Sequence, residues 1–127
     1  MEKLDSFTRA YIEAALWSSA DDNGRPLDRD HDLSDIASET TARMVADCAK
    51  FQAENYATIQ AATCRRGSGW YSQATQAGHD FWFTRNGHGV GFWDGDWLEP
   101  EASILTAAAQ AFGEFGLYVG DDGMLYA

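Results

Sequence analysis

Residues 78 to 94, G-H-D-F-W-F-T-R-N-G-H-G-V-G-F-W-D, set five aromatic side chains around a short polar turn that carries Arg85, Asn86 and His88. Asn and Gly accept the positive φ that tight hairpin turns need, so two apolar runs around N-G imply a β-hairpin. Strands are expected near His79 to Thr84 and Val90 to Asp94. The strand period of two puts Phe81 and Phe83 on one face and Asp80, Trp82 and Thr84 on the other. Both faces then carry aromatics, which implies a sheet with one face on helices and the second partly covered.

The rest of the chain supplies those helices. Ser6 can cap a first helix from Phe7 to about Ser18, with Phe7, Tyr11, Ala14 and Ala15 on one face and Ile12 and Leu16 beside it. The polar stretch A-D-D-N-G-R-P-L-D-R-D-H-D has no apolar period and reads as a surface loop. A second helix begins between Ser34 and Ser38 and continues to Cys64 or Arg65. Met44, Cys48, Phe51, Ile59 and Ala62 recur along it at helical spacing. Arg65 and Arg66 suit its negative end, and Gly67 offers a left-handed stop. The segment from Gly67 to Gln76 is a connection rich in small polar residues. A third helix follows Pro100, with Glu99 and Glu101 at its positive end and Ile104, Leu105, Ala108, Ala111, Phe112 and Phe115 as its buried stripe. Leu117 to Val119 and Met124 to Tyr126 flank Asp121-Asp122-Gly123 as a second hairpin.

The expected fold is α+β in the order α-α-β-β-α-β-β, an antiparallel sheet of about four strands packed on the long helix. At 127 residues, 45% of them hydrophobic, the chain is expected to form a single α+β domain over residues 1–127. Its core is expected to contain Met44, Cys48, Phe51, Ile59, Phe81, Phe83, Phe92, Ile104, Leu105, Ala108 and Phe112. No apolar run reaches the ~18 residues of a membrane span, and the first residues lack a signal peptide's apolar centre. A soluble protein that stays inside the cell, making no membrane contact, is the expectation. Cys48 and Cys64, ~24 Å apart along one helix at ~1.5 Å per residue, are too distant to bridge.

Charge constrains the partners. Twenty acids against nine bases give a net charge of −11. Residues 21 to 39 hold seven acids and two bases, residues 94 to 122 seven acids and no base, and residues 40 to 93 three acids and five bases. Two acidic zones flanking a mildly basic middle repel phosphates and attract basic surfaces, which argues against direct nucleic-acid binding. The same charges also serve solubility.

Catalytic and metal signatures are weak. Asp28 to Glu39 places carboxylates at four positions of a calcium-loop template, but Leu33 stands where the sharp turn demands Gly, so a solvated acidic loop is the better reading. His79, His88 and His31 and the two cysteines lack zinc-site spacing, so no metal and no cofactor is expected. An acid–base pair of His88 with Asp94 or Asp80 would need a pocket. Otherwise Arg85, Asn86 and His88 hydrogen-bond the turn or an adjoining loop and fix its shape. Phosphate-binding loops and nucleophile elbows are absent, and Cys64 is read as a small packed hydrophobe. Of the clustered aromatics, Trp70, Tyr71 and Trp82 are read as core. Trp93 and Trp97 in W-D-G-D-W are the exceptions, because an aromatic beside Asp94 and Asp96 suits an interface onto an Arg- or Lys-rich partner.

The run D-F-W-F-T-R-N-G-H-G-V-G-F-W-D, with F-T-R-A-Y-I-E-A-A-L-W-S-S near the start and L-Y-V-G-D-D-G near the end, resembles a family of small acidic, largely uncharacterised proteins of bacteriophages and mobile elements. The three blocks span most of the chain in the same order. The resemblance implies a setting and no reaction. Combined with the acidic zones, it favours a non-enzymatic accessory protein that binds a host protein's basic surface by nucleic-acid mimicry, as anti-CRISPR and anti-restriction proteins do. The residues expected to meet that partner are Asp28, Asp30 and Asp32, Asp94, Asp96, Trp97, Glu99 and Glu101, and Asp121 and Asp122. The rival readings are a small enzyme built on the His79/His88 hairpin with Arg85 and Asn86, and an accessory protein that forms a homodimer through its aromatic hairpin.

Overall fold

The aromatic run around Phe81 is helical. A computed structural model describes residues 4–64 and 73–127. Among those residues the α-helices are α1 Ser6–Ser18, α2 Ser38–Glu54, α3 Tyr56–Ala61, α4 Gln73–Arg85 and α5 Glu101–Gln110. The strands β1 Tyr118–Val119 and β2 Leu125–Tyr126 follow, and two 3-10 turns, Leu27–Arg29 and Leu33–Asp35, separate α1 from α2. The chain is therefore mixed α and β, with one two-stranded antiparallel sheet among the described residues in place of the expected sheet of about four strands.

The expected hairpin over residues 79–94 is replaced by α4 and an irregular loop. Nine of the thirteen residues of α4 are buried, including Phe81, Trp82 and Phe83 in succession, because other elements surround it. A helix buried over most of its surface lacks a broad polar face, so its helical period is obscured and three consecutive aromatics pass for strand alternation. Asn86-Gly87 then does a different job from turning a hairpin. Gly87 has φ +69°. Its N–H donates to the Thr84 carbonyl at 3.3 Å and the His88 N–H to the Phe83 carbonyl at 3.0 Å. That pair of bonds is the Schellman termination of a helix, which wants Gly in the left-handed region for the same reason a hairpin does.

α4 is the central element and α1 its main partner. They meet at Gly78, where an added Cβ would collide with the carbonyl oxygen of Phe7 and lie 3.1 Å from the Ala10 Cβ. Glycine inside a helix costs ~0.5–1 kcal/mol relative to alanine. Here it permits a contact that no side chain allows. Around that contact Phe7, Tyr11, Phe51, Phe81 and Phe92 are fully buried, with Phe51 stacked on Phe81 at 4.2 Å between centroids. Each such ring contributes ~1.5–3 kcal/mol by leaving water.

α1 matches its expected span, but Asp5, not Ser6, caps it, its carboxylate accepting from the Thr8 N–H at 2.8 Å. The expected long helix to residue 64 or 65 breaks at Asn55. The Asn55 side-chain amide donates to the Phe51 carbonyl at 2.9 Å, and its backbone leaves helical geometry at φ −117°, ψ 17°. A short polar side chain competing for a backbone carbonyl interrupts a helix in this way. Arg65, Arg66 and Gly67, which were expected to close that helix, lie outside the described residues, as do Trp70 and Tyr71. Both cysteines are buried.

α5 begins after Pro100 as expected, and the Glu99 carboxylate accepts from the Ser103 N–H at 2.8 Å and the Ser103 hydroxyl at 2.7 Å. Its stripe is narrower than expected. Leu105 is buried, Ala108 and Phe112 are half-buried, and Ile104 is 48% exposed, contrary to its expected place in the core. Ile59 is likewise half-buried. The C-terminal hairpin forms across Asp121-Asp122-Gly123 with Tyr118 opposite Tyr126. The Leu125 carbonyl accepts from the Ala37 N–H at 2.9 Å, tying the hairpin to the start of α2.

Candidate functional site

Arg85 and Asn86 are consumed by the fold. Arg85 ends α4 with its guanidinium buried. Nε donates to the Gly113 carbonyl at 2.8 Å. One terminal nitrogen donates to Asp47 Oδ2 at 2.8 Å and to the Tyr11 hydroxyl at 2.9 Å, the other to the Phe112 carbonyl at 3.2 Å. The cation thus joins α1, α2, α4 and the segment after α5. Asn86 donates to the Trp82 carbonyl at 3.0 Å and accepts from the Phe115 N–H at 2.8 Å. Both residues fix a turn and an adjoining loop. His88 is half-buried, its ring edge-on to Phe83 at 5.5 Å.

His79 sits in the middle of α4, so no hairpin brings it beside His88. It lines a cleft of about 620 Å³ between α1 and α4. Thr75, His79 and Phe83, spaced by four on α4, form one wall, and Glu13 and Trp17, also spaced by four on α1, form the other. Asp28, on the first 3-10 turn, also lines it. A chamber of about 210 Å³ continues past Trp17, His79 and Phe83 to Gln76, Asp80, Val90 and Asp94. A second cavity of about 530 Å³, against the outer face of α2, is lined by apolar residues with Ser38 and Thr41 and holds no titratable side chain.

Asp80 is the chemically distinctive group of the cleft. Its side chain is only 2% exposed, and Oδ2 accepts from the Gln76 amide at 2.8 Å and the Trp97 indole N–H at 2.6 Å. Burial pushes its pKa up to about 6, against those two hydrogen bonds and with help from the negative charges of Asp94 and Asp96. A carboxylate is easier to protonate where water cannot solvate its charge.

Trp97 was expected as an exposed partner anchor and is buried instead, at 2% exposure. Its indole satisfies the buried Asp80, which lies seventeen residues earlier and is unreadable from W-D-G-D-W alone. Trp93 is 53% exposed, as that motif suggested. The expected acidic residues are at the surface: Asp28, Asp30, Asp32, Asp94, Glu99, Asp121 and Asp122 are exposed, and Asp96 and Glu101 half-buried. Several of them also shape the backbone. Asp32 forms a reciprocal cap with Asp35 at the second 3-10 turn. Asp94 accepts from the N–H groups of Gly91 and Asp96, each at 3.3 Å. Asp122 accepts from the Met124 N–H at 2.9 Å and the Tyr126 hydroxyl at 2.6 Å. Hydrogen bonds hold three of these carboxyls below the usual range: from the Ser34 hydroxyl and N–H for Asp32, the Ser103 hydroxyl and N–H for Glu99, and the Tyr126 hydroxyl and Met124 N–H for Asp122.

Trp17 and Glu13 were not singled out from the sequence. The available signal was Trp17 itself, a large aromatic off the apolar face of its helix, and it is 64% exposed. Among the described residues no group of three or more His, Cys, Asp and Glu side chains stands ready to hold a metal ion, and no helix is long and apolar enough to cross a membrane. Comparison with protein-family models, curated proteins and solved structures finds no match to the chain.

Proposed function

We propose that this chain is a non-enzymatic interaction protein that binds the basic surface of a protein partner through its acidic faces. In the setting implied by the resemblance to phage and mobile-element proteins, the partner is a nucleic-acid-binding host protein, and the anti-defence class, anti-CRISPR or anti-restriction, is the specific form proposed. The observation that carries the reading is the placement of charge. The acids of both zones lie at the surface, where they outnumber the exposed bases Arg9, Arg25, Arg29, Arg43 and Lys50, and Arg85 is buried against Asp47. Such a surface attracts cations over several ångströms and repels phosphates.

The test is salt-dependent capture from host lysate. Nucleic-acid-binding proteins should be retained at low ionic strength, released as salt passes ~0.15 M, and displaced by duplex DNA. Reversing Asp94, Asp96, Glu99 and Glu101 to Lys should abolish capture, and Asn or Gln at the same positions, whose amide oxygens still accept the loop and cap hydrogen bonds, should weaken it with circular dichroism unchanged. Capture that survives both salt and the reversal overturns the reading.

Asp80 favours a second reading, a small enzyme that works in the cleft. A buried carboxyl whose pKa lies near neutrality, beside a histidine, has the properties of a general acid or base. In that case His79→Ala would remove activity that the quadruple reversal leaves intact.

A further inference from the structure

We propose that the cleft between α1 and α4 holds an arginine side chain presented by the basic partner; this rests on the reading above and gives it an anchor. The larger chamber, about 620 Å³, is within the ~300–1,000 Å³ range of small-ligand sites. Its rim carries Trp17, whose indole is 64% exposed yet held edge-on by Phe83 at 6.0 Å. Glu13 and Asp28 share that chamber, and Asp80 and Asp94 line its continuation. No lysine or arginine among the described residues lines either space.

Asp80 adds an observation independent of the acidic surface. Both of its donors reach Oδ2, so Oδ1 accepts from neither. Asp80 lines the inner chamber with that carboxylate. A nearly buried carboxylate beside a cleft is a fixed acceptor and negative charge for a cation that enters it. The guanidinium fits this set better than an ammonium. It is planar, stacks on an indole, and distributes five N–H donors among carboxylates, whereas a lysine head is a compact and strongly hydrated point charge.

The test uses N-acetyl-arginine amide as the probe and N-acetyl-citrulline amide as its neutral analogue of the same shape. Proton–nitrogen NMR spectra of the whole protein are followed during titration, with the Trp17 indole signal assigned through Trp17→Phe. The arginine probe should give saturable shifts at Trp17 and His79, and citrulline should bind at least about tenfold more weakly, because it lacks the charge. Trp17→Ala should weaken binding about two- to fivefold through the lost cation–π contact. Glu13→Gln with Asp28→Asn should weaken it further and flatten its salt dependence. All three residues are exposed, so these variants keep their fold. Equal binding of citrulline, or no saturable shift at Trp17, overturns the proposal. Salt-sensitive capture of a basic partner that Trp17→Ala and Glu13→Gln leave unchanged overturns the cleft's role and spares the acidic-surface reading. Arginine binding in the cleft with no basic partner captured supports the cleft and removes that reading.

Discussion

Replacing Arg85 by Met keeps the stem of the side chain and deletes the guanidinium that joins four parts of the chain. The variant loses its contacts with Asp47, the Tyr11 hydroxyl and the Gly113 and Phe112 carbonyls. Removing one partner of a buried ion pair costs ~3–5 kcal/mol when the other charge stays enclosed. Here the Asp47 side chain is 31% exposed and the guanidinium side 4%, so the abandoned carboxylate regains water and the cost moves to the lower end. The Tyr11 hydroxyl lies in the core, where an unmet polar group costs ~1–3 kcal/mol. The expected loss is about 3 kcal/mol, equivalent to roughly 10–15 °C in Tm for a domain of this size. Urea unfolding followed by tryptophan fluorescence measures it as a shift in midpoint at constant slope. Arg85→Lys should rescue little, because one ammonium cannot satisfy acceptors arranged around a planar fork. A midpoint for Arg85→Met within ~0.5 kcal/mol of the parent would refute the claim that this cation organises the fold, since that is the range of an ordinary surface change.

Two further outcomes follow from the geometry. Gly78→Ala should destabilise by more than ~2 kcal/mol, although alanine is the better helix former, because its Cβ would meet the Phe7 backbone; a stabilised variant in thermal unfolding would show that α1 and α4 pack more loosely. Asp80 has a folded pKa of about 6, above the ~3.9 of an unfolded carboxyl, so between those values the folded chain holds a proton that the unfolded chain has lost. Its contribution is therefore fully present below ~pH 4 and lost as pH rises through about 6. Relative to Asp80→Asn, the parent should lose about 2–3 kcal/mol from pH 4 to pH 7; a difference in urea midpoints that stays flat with pH would refute the assignment.

The helices legible in the sequence are those with one wet face. α1 and α5 each alternate between core and solvent, so their patterns name their periods, and the C-terminal hairpin is marked by its Asp-Asp-Gly turn. α4 has only a narrow wet strip at Thr75 and His79, and F-W-F with N-G satisfies the rules for a strand and turn as well as those for a buried helix and its cap. The break at Asn55 depends on one amide choosing a carbonyl four residues back. The acidic surface was readable because exposed carboxylates need no partner to be recognised. The cleft was not, since Glu13, Trp17, Asp28 and His79 come from three separated segments and meet only through tertiary packing. Trp97 failed for a related reason: its neighbours in sequence are acids and solvent, while its partner in space is a buried carboxylate.

That buried contact also bears on how the W-D-G-D-W segment meets a partner. Its indole is fastened to α4, the Leu98 N–H donates to the Thr63 carbonyl at 2.9 Å, and Asp94 bonds the N–H groups on both sides of it. Ordering a mobile side chain on binding costs ~0.5–1.5 kcal/mol each time. In this loop much of that conformational freedom is already given up on folding, so a partner meets carboxylates that stand in place, and weakening the Trp97 tether should slow association without removing a single surface charge.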